Sequence, residues 1–249
     1  MKLTINLLKK EAIAFCKHEN IITHNNLIGV TDGKAVGTYI EHKFEEYLKN
    51  KYEVNIGSSG KGIDLPDSYI NTDIKVTSIK KPQSSSPFKN IEQKVYGLGH
   101  NLLIFVYEKK NINKSCYLDF KYCIFLEAER SGDYTLTKIL RKMIELNAKE
   151  SDIIEILKDS NVPGDNQTLE ILAKKIIKNP PKQGYLTISN AFQWRLRYRN
   201  IINLDEKVDG VDTYEKFNEK QIIDYPTTIL SDKIMNIWRK SLNNILFIF

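Results

Sequence analysis

Apolar residues recur at helical spacing between residues 4 and 18, at Ile5, Leu8, Ala12 and Phe15, and predict a first helix. The spacing returns from Lys34 to about Tyr52 at Val36, Ile40, Phe44, Tyr47 and Leu48, with Gly33 suited to the turn before it. This second helix carries Glu41, Glu45 and Glu46. Residues 53–56 read as a short strand, GSSGKG as a loop and TDIKVTS as an alternating strand, while PQSSSP reads as a loop that cannot continue it. A helix is expected from Phe88 to about Leu98, ending at Gly97 or Gly99. NLLIFVYE is apolar throughout, the mark of a central strand covered on both faces, and CYLDFKYCIFLEA is a further strand or strand pair. The order helix, strand, strand, helix, strand, strand describes an α/β fold with a mixed central β-sheet flanked by helices.

The second half changes character. TLTKILRKMIELNA, SDIIEILKDS and TLEILAKKIIKN predict three consecutive short helices, the middle one with Ser151 at its N-cap. Such a trio suits a helix-turn-helix reader, or equally plain packing against the sheet. PPKQG marks a boundary near residue 180, after which YLTISNAFQWRLRYRNIINL reads as a short strand, a Ser189 cap and a basic helix. The expected organisation is a core over 1–130 that includes the N-terminal helices, a helical subdomain over 131–180, and a basic segment over 181–249 whose C-terminal part returns to the core.

Composition narrows the class. With 249 residues and 41% hydrophobic side chains, the chain can bury a proper core. Its 37 basic and 31 acidic residues leave a formal charge of +6, and their distribution says more than that sum. Between Glu170 and Asp205 no acid occurs, yet Lys174, Lys175, Lys178, Lys182, Arg195, Arg197 and Arg199 do, interleaved with Tyr185, Trp194 and Tyr198. A second acid-free run, from Ile74 to Ile91, carries Lys75, Lys80, Lys81 and Lys89. Phosphate-backbone binding uses such stripes, although a solvated face shows them too. Cys16, Cys116 and Cys123 are odd in number and lack C-x-x-C spacing, which argues against a disulfide framework or a zinc ribbon. His18, His24, His42 and His100 form no H-x-x-x-H pair. The N-terminus lacks the apolar run of a signal peptide and the terminal ILFIF is too short to span a bilayer, so a cytoplasmic protein with no membrane partner is expected.

The chemistry concentrates in GKGIDLPDSYINTDIKVTS, residues 60–78. Side chains alternate along a strand, so Asp73 and Lys75 share one face while Ile74 and Val76 take the other and can enter the core. That leaves the charged pair at the sheet surface, close enough to act on one reacting centre. Phosphodiester hydrolysis needs such groups: carboxylates to hold a divalent cation, and a cationic side chain to position the attacking water. Magnesium takes oxygen donors and usually only one or two protein carboxylates, which Asp73 and one upstream aspartate would supply. Asp67 lies six residues before Asp73 and suits a short hairpin, whereas Asp64 lies nine before it and suits one two residues longer.

Asp64-Leu65-Pro66-Asp67 followed by Asp73-Ile74-Lys75, preceded by a helix containing Gly37-Thr38-Tyr39-Ile40-Glu41, resembles the active site of the PD-(D/E)XK nuclease superfamily. Within it the likeness is to type II restriction endonucleases and the related mismatch-repair nicking enzyme, and it covers roughly residues 33–107. The resemblance implies a restriction-endonuclease-like core and Mg²⁺ as cofactor, with Mn²⁺ able to substitute. It also implies a catalytic set of Glu41, Asp64, Asp67, Asp73 and Lys75, with Glu41, Asp64, Asp67, Asp73 and Ile74 at the metal. Glu45, one helical turn beyond Glu41 on the same face, is a further candidate from its spacing. Gln93 resembles the supporting glutamine of some related nucleases, but its spacing to Tyr96 departs from theirs.

The implied activity is sequence-specific hydrolysis of double-stranded DNA, leaving 5′-phosphate and 3′-hydroxyl ends. A homodimer suits a palindromic target, and a DNA methyltransferase is the expected genetic partner. Asn190, Gln193, Arg195, Arg197 and Arg199 are of the right kinds to read bases, with Lys182 and other lysines holding phosphates. On a helix, Gln193 and Arg197 would share a face, as would Arg195 and Arg199, while Trp194 and Tyr198 would pack inward. Two other readings fit the same residues: a structure-directed repair or junction nuclease on this core, and a non-catalytic DNA-binding regulator built on residues 135–200.

Overall fold

The uninterrupted apolar strand lies where its pattern requires, in a sheet whose two faces are both covered. The computed structural model describes residues 1–57, 62–112, 114–189, 194–215 and 217. Strands β1 (Thr72–Ser78), β3 (Asn101–Ile112), β4 (Ser115–Leu126) and β7 (Val211–Glu215) form a sheet in the order β1-β3-β4-β7. β1 runs parallel to β3, and the other pairs are antiparallel. A second, antiparallel sheet joins β2 (Gln83–Ser86), β6 (Trp194–Arg197) and β5 (Thr187–Ser189) in that order. The result is the mixed α/β arrangement expected of a restriction-endonuclease-like fold.

Alternation along β3 sends side chains into two cores. Leu103, Phe105 and Tyr107 face helices α1 (Ile5–Glu19) and α2 (Gly33–Lys49), where Phe15, Ile40 and Phe44 meet them. The Phe105 ring centroid lies 5.0 Å from Phe44, 5.7 Å from Phe15 and 5.9 Å from Phe120. Leu102, Ile104 and Val106 face the other way, against Ile188, Trp194, Leu196 and Tyr198 of the second sheet and the residue after it. The second sheet therefore lies across the face of the central sheet opposite α1 and α2. Since the side chain of Ile74 belongs to the helix-side core, Asp73, Lys75 and Thr77 point toward the second sheet.

The short helix α3 (Gln93–Tyr96) precedes β3, and the three expected helices follow β4 as α4 (Tyr134–Glu145), α5 (Glu150–Asp159) and α6 (Asn166–Lys178). Leu140, Ile153, Leu157, Leu169, Leu172 and Ile176 bury one another in a third cluster that also takes Val95. A last short helix, α7 (Arg199–Ile202), follows β6. None of the helices described is long and apolar enough to cross a membrane.

Several local expectations give way to the fold. Residues 53–56 make only a single parallel bridge, between Glu53 and Lys2, instead of a strand. The helix expected from Phe88 shrinks to Gln93–Tyr96, and Gly97, at φ 91°, ends it as anticipated. Lys149, not Ser151, is the N-cap of α5, because the Asp152 carboxylate accepts the Lys149 N–H at 2.8 Å and starts the helix earlier. PQSSSP is not a loop throughout, since Gln83–Ser86 pair with β6. The basic helix expected after Ser189 is a strand instead over Trp194–Arg197, and Ser189 ends β5 rather than capping a helix. Trp194, Leu196 and Tyr198 are buried while Arg195, Arg197 and Arg199 are exposed, a two-residue period that belongs to a strand. Asn190 and Gln193, most of the GSSGKG loop and the C-terminal segment from 218 onward lie outside the described residues.

Candidate active site

β1 is the outer strand of its sheet, so alternate backbone groups along it need partners from elsewhere. The segment before it supplies them. Leu65 and Thr72 exchange two backbone hydrogen bonds of 2.9 and 3.0 Å, and the Asp64 Oδ2 atom accepts the Ile74 N–H at 2.6 Å. In that antiparallel register Asp64 stands opposite Asp73, where Cβ atoms are typically about 5 Å apart on one face. Gly57 completes the support by donating its N–H to the Asp64 carbonyl at 2.7 Å. A Cβ at Gly57 would lie 2.0 Å from the Ile63 carbonyl oxygen, so only glycine fits against the segment that carries Asp64.

Helix α2 brings the glutamates. The Asp32 carboxylate caps its first turn through the N–H groups of Lys34 (3.0 Å) and Ala35 (3.3 Å). Gly37 faces Val76 of β1, where an added Cβ would just touch the valine at 3.8 Å. Glu41 and Glu45 follow at i, i+4 on one face. One carboxylate oxygen from each of Glu41, Glu45 and Asp64 lies within 4.8 Å of the others, a donor set able to hold a cation.

Asp73 stands beside this trio and is held differently. Its side chain is only 3% exposed, contrary to the expectation of a charged pair at the sheet surface, because the second sheet covers that face. The Lys75 Nζ atom lies 2.6 Å from its Oδ2. The His100 Nε2 atom approaches the same oxygen at 3.6 Å, beyond hydrogen-bond length, and neither ring nitrogen of this buried histidine has a hydrogen-bond partner among the described residues. Sequence reasoning missed His100 as a neighbour of Asp73. Only the pairing of β1 with β3, which sets Thr72 opposite Asn101, brings it there.

The carboxylates divide their protons unequally. Burial, followed by the adjacent Asp73, pushes Asp64 up to about 8, with Glu41 adding to the rise and the Ile74 N–H opposing it. Burial would raise Asp73 as well, but His100, Lys75 and Asp64 together hold it below the usual carboxylate range. The pair thus favours its proton on Asp64 and its charge on Asp73. Burial raises Glu41 against the pull of Lys75, with Glu45 and Asp73 adding repulsion, and burial also raises Glu45. Three carboxyl groups thus shift upward together, each chiefly through burial, and such clustered shifts are common at functional sites.

The remaining sequence candidates lie elsewhere. The Asp67 carboxylate is exposed and accepts from Asn55 N–H (3.3 Å), Asn55 Nδ2 (2.7 Å) and Tyr69 OH (3.1 Å), and its carbonyl closes the turn to Ile70 and Asn71. Asp67 therefore shapes the hairpin that presents Asp64. Ile74 contributes its N–H to Asp64 and its side chain to the core. Gln93 is buried and accepts the Trp194 Nε1–H at 3.1 Å, which ties α3 to the second sheet. Lys182 pairs with Glu129 at 2.6 Å, and Lys175 with Glu92. Among the described residues neither Arg195 nor Arg197 has an acidic partner.

A family model described as type II restriction enzyme NspV matches residues 2–213. A curated protein, the type II restriction enzyme NspV of Nostoc sp. (strain ATCC 29411 / PCC 7524), is 45% identical over 218 residues, covering 87% of this chain and 98% of that protein. No solved structure matches the chain.

Proposed function

The chain belongs to the NspV family of type II restriction enzymes, and on that premise we propose that it cuts double-stranded DNA at a specific sequence with Mg²⁺, leaving 5′-phosphate and 3′-hydroxyl ends. The observation that carries the metal dependence is the convergence of Glu41, Glu45 and Asp64 beside the Asp73–Lys75 pair. The fit to a hard divalent cation is good, because the donors are all carboxylate oxygens and Asp64, raised to about 8 by burial and then by the adjacent Asp73, would gain a positive partner there.

Glu41, Glu45, Asp64 and Asp73 are the residues that would hold the ion, with Asp64 rather than Asp67 as the upstream aspartate. Bound there, the cation supplies Lewis-acid stabilisation of the charge that gathers on the phosphoryl oxygens. The chain's own groups do the rest. Lys75 keeps Asp73 charged and in place, and its ammonium offers further N–H donors to the scissile phosphate or the attacking water. Burial of Asp73 preserves the strength of that interaction. A homodimer, a protecting methyltransferase and a cytoplasmic location belong to the same proposal.

Digestion of one plasmid with Mg²⁺, followed by sequencing of the ends, tests it. Discrete fragments with 5′-phosphates are expected, whereas cutting confined to junctions, or specific binding without cutting in Mg²⁺ or Mn²⁺, would overturn it.

Metal and proton should compete. A folded Asp64 near 8, against an ordinary value of 3.8, binds more protons than the unfolded chain between about pH 4 and 8, and Glu41 and Glu45 shift the same way. Metal-free stability should therefore fall as pH rises through that window. The depressed Asp73 acts oppositely, but its contribution is lost only as pH falls below the usual carboxylate range. Mg²⁺ is accordingly expected to raise the melting temperature more at pH 8 than at pH 6, as scanning calorimetry without DNA can measure. An equal rise at both values would count against a carboxylate site of this kind.

A further inference from the structure

The two acid-free runs of the sequence, far apart along the chain, meet in one sheet. β2 comes from the first, and β5 and β6 come from the second. Pairing sets Gln83 opposite Arg197 and Ser85 opposite Arg195, while on the other side of β6 Thr187 faces Arg197 and Ser189 faces Arg195. Directly paired residues share a face, so these six form a grid of two rows on the exposed side. The reverse side holds Trp194, Leu196 and Ile188 in the core, with Ser84 hydrogen-bonded to the buried Tyr198 hydroxyl. Every side chain on the grid can form hydrogen bonds, and none is a carboxylate.

Shape adds to chemistry. Arg195 and Arg197 rise from the middle strand, with the shorter Ser85, Ser189 and Thr187 on its flanks. Residues two apart on a strand are roughly 6.8 Å apart, which spans two base steps of roughly 3.4 Å. Beyond the Gln83–Arg197 row the surface opens into a concavity of about 380 Å³ bordered by Lys81 and Arg199. The grid is also fixed to the cutting strand: the Thr77 hydroxyl, on the same face of β1 as Asp73 and Lys75, accepts the Gln83 N–H at 2.9 Å and lies 3.0 Å from the Gln83 carbonyl oxygen. Burial raises the Tyr198 hydroxyl, with nearby Asp73 adding to the rise, so the root of β6 lies within the electrostatic reach of the catalytic aspartate.

We propose that the exposed face of the β2-β6-β5 sheet is the base-reading surface of the enzyme, entering the major groove so that Arg195 and Arg197 engage guanine edges and Gln83 an adenine edge. This rests on the reading of the chain as a sequence-specific DNA-cutting enzyme, and it gives the reading role to a sheet instead of a helix. The major groove admits a two-stranded β-ribbon as readily as a helix. Arginine pairs bidentately with guanine O6 and N7, and glutamine with adenine N6 and N7. A phosphate contact needs only charge, which lysine supplies as well as arginine, whereas the planar guanidinium fork sets two N–H donors in the fixed geometry that matches guanine O6 and N7.

The test exploits that difference. Mapped ends from the wild-type digest define the target, and failure to obtain a discrete target would defeat the enzymatic reading itself, independently of this one. Arg195→Lys, Arg197→Lys and Gln83→Ala are then assayed for cleavage of the target duplex and of duplexes with one base pair changed. Each variant is expected to lose roughly 10–100-fold on the target. Each should also narrow the gap between target and altered duplexes at one position, with the salt dependence of binding unchanged for the lysine variants. All three residues are partly or fully exposed, so melting temperatures should match the wild type. Lysine variants that cut like the wild type, together with Arg→Ala variants that bind all duplexes more weakly and with a shallower salt slope, would make these arginines phosphate clamps and overturn the proposal. So would unchanged discrimination in all three variants.

Discussion

Asp64→Asn is expected to lower cleavage by roughly 10²–10⁴-fold while leaving binding of the target duplex intact. The asparagine can still accept the Ile74 N–H that orders this edge of β1, so the hairpin should keep its shape. The change removes a carboxyl group that is costly to ionise beside Asp73, and stability at pH 8 should be equal or higher. Loss of activity would then come from the metal site and not from unfolding. Asp67→Asn provides the contrast. Its carboxylate serves Asn55 and Tyr69 at the surface, and cleavage should stay within about threefold of the wild type. Single-turnover cleavage and a gel-shift titration on the same protein preparations decide the matter. A dead Asp67→Asn beside an active Asp64→Asn would reverse the assignment.

Phe105→Ala is expected to destabilise the protein by about 3–5 kcal/mol. The ring is fully buried and has Phe15, Phe44 and Phe120 around it, so little can collapse into the space it leaves. For a chain of this size the melting temperature should fall by roughly 10 °C. A drop below about 1 kcal/mol in urea denaturation would mean that α1 and α2 do not pack on this sheet as described.

The sequence made the central elements legible because their signals are local. Strand β3 is apolar on both faces, α1 and α2 repeat at helical spacing, and TDIKVTS alternates. The pairing of Asp73 with Lys75 followed from that alternation and from the likeness to known nucleases. The choice between Asp64 and Asp67 was not legible, since it depends on which residue pairs with Thr72. His100 was invisible for the same reason, because the parallel register of β1 and β3 links residues about thirty positions apart. Gln83–Ser86 looked like a loop because a run of serines has little strand preference of its own, and its partner strand lies more than a hundred residues away. Trp194 to Arg199 did carry a local signal. The two-residue alternation is present there, but Arg195 and Arg199 also stand four apart, a spacing that equally suits one face of a helix.

Only Ile79 to Pro82 connect β1 with β2, and Thr77 bridges even that short passage. Such a joint leaves no room for a swivel. An engineer seeking a new target would therefore find no detachable cassette in this protein: transplanting the three strands from a relative would drag the scissor along with the ruler. Altered preference would have to come one side chain at a time, on a backbone left as it is.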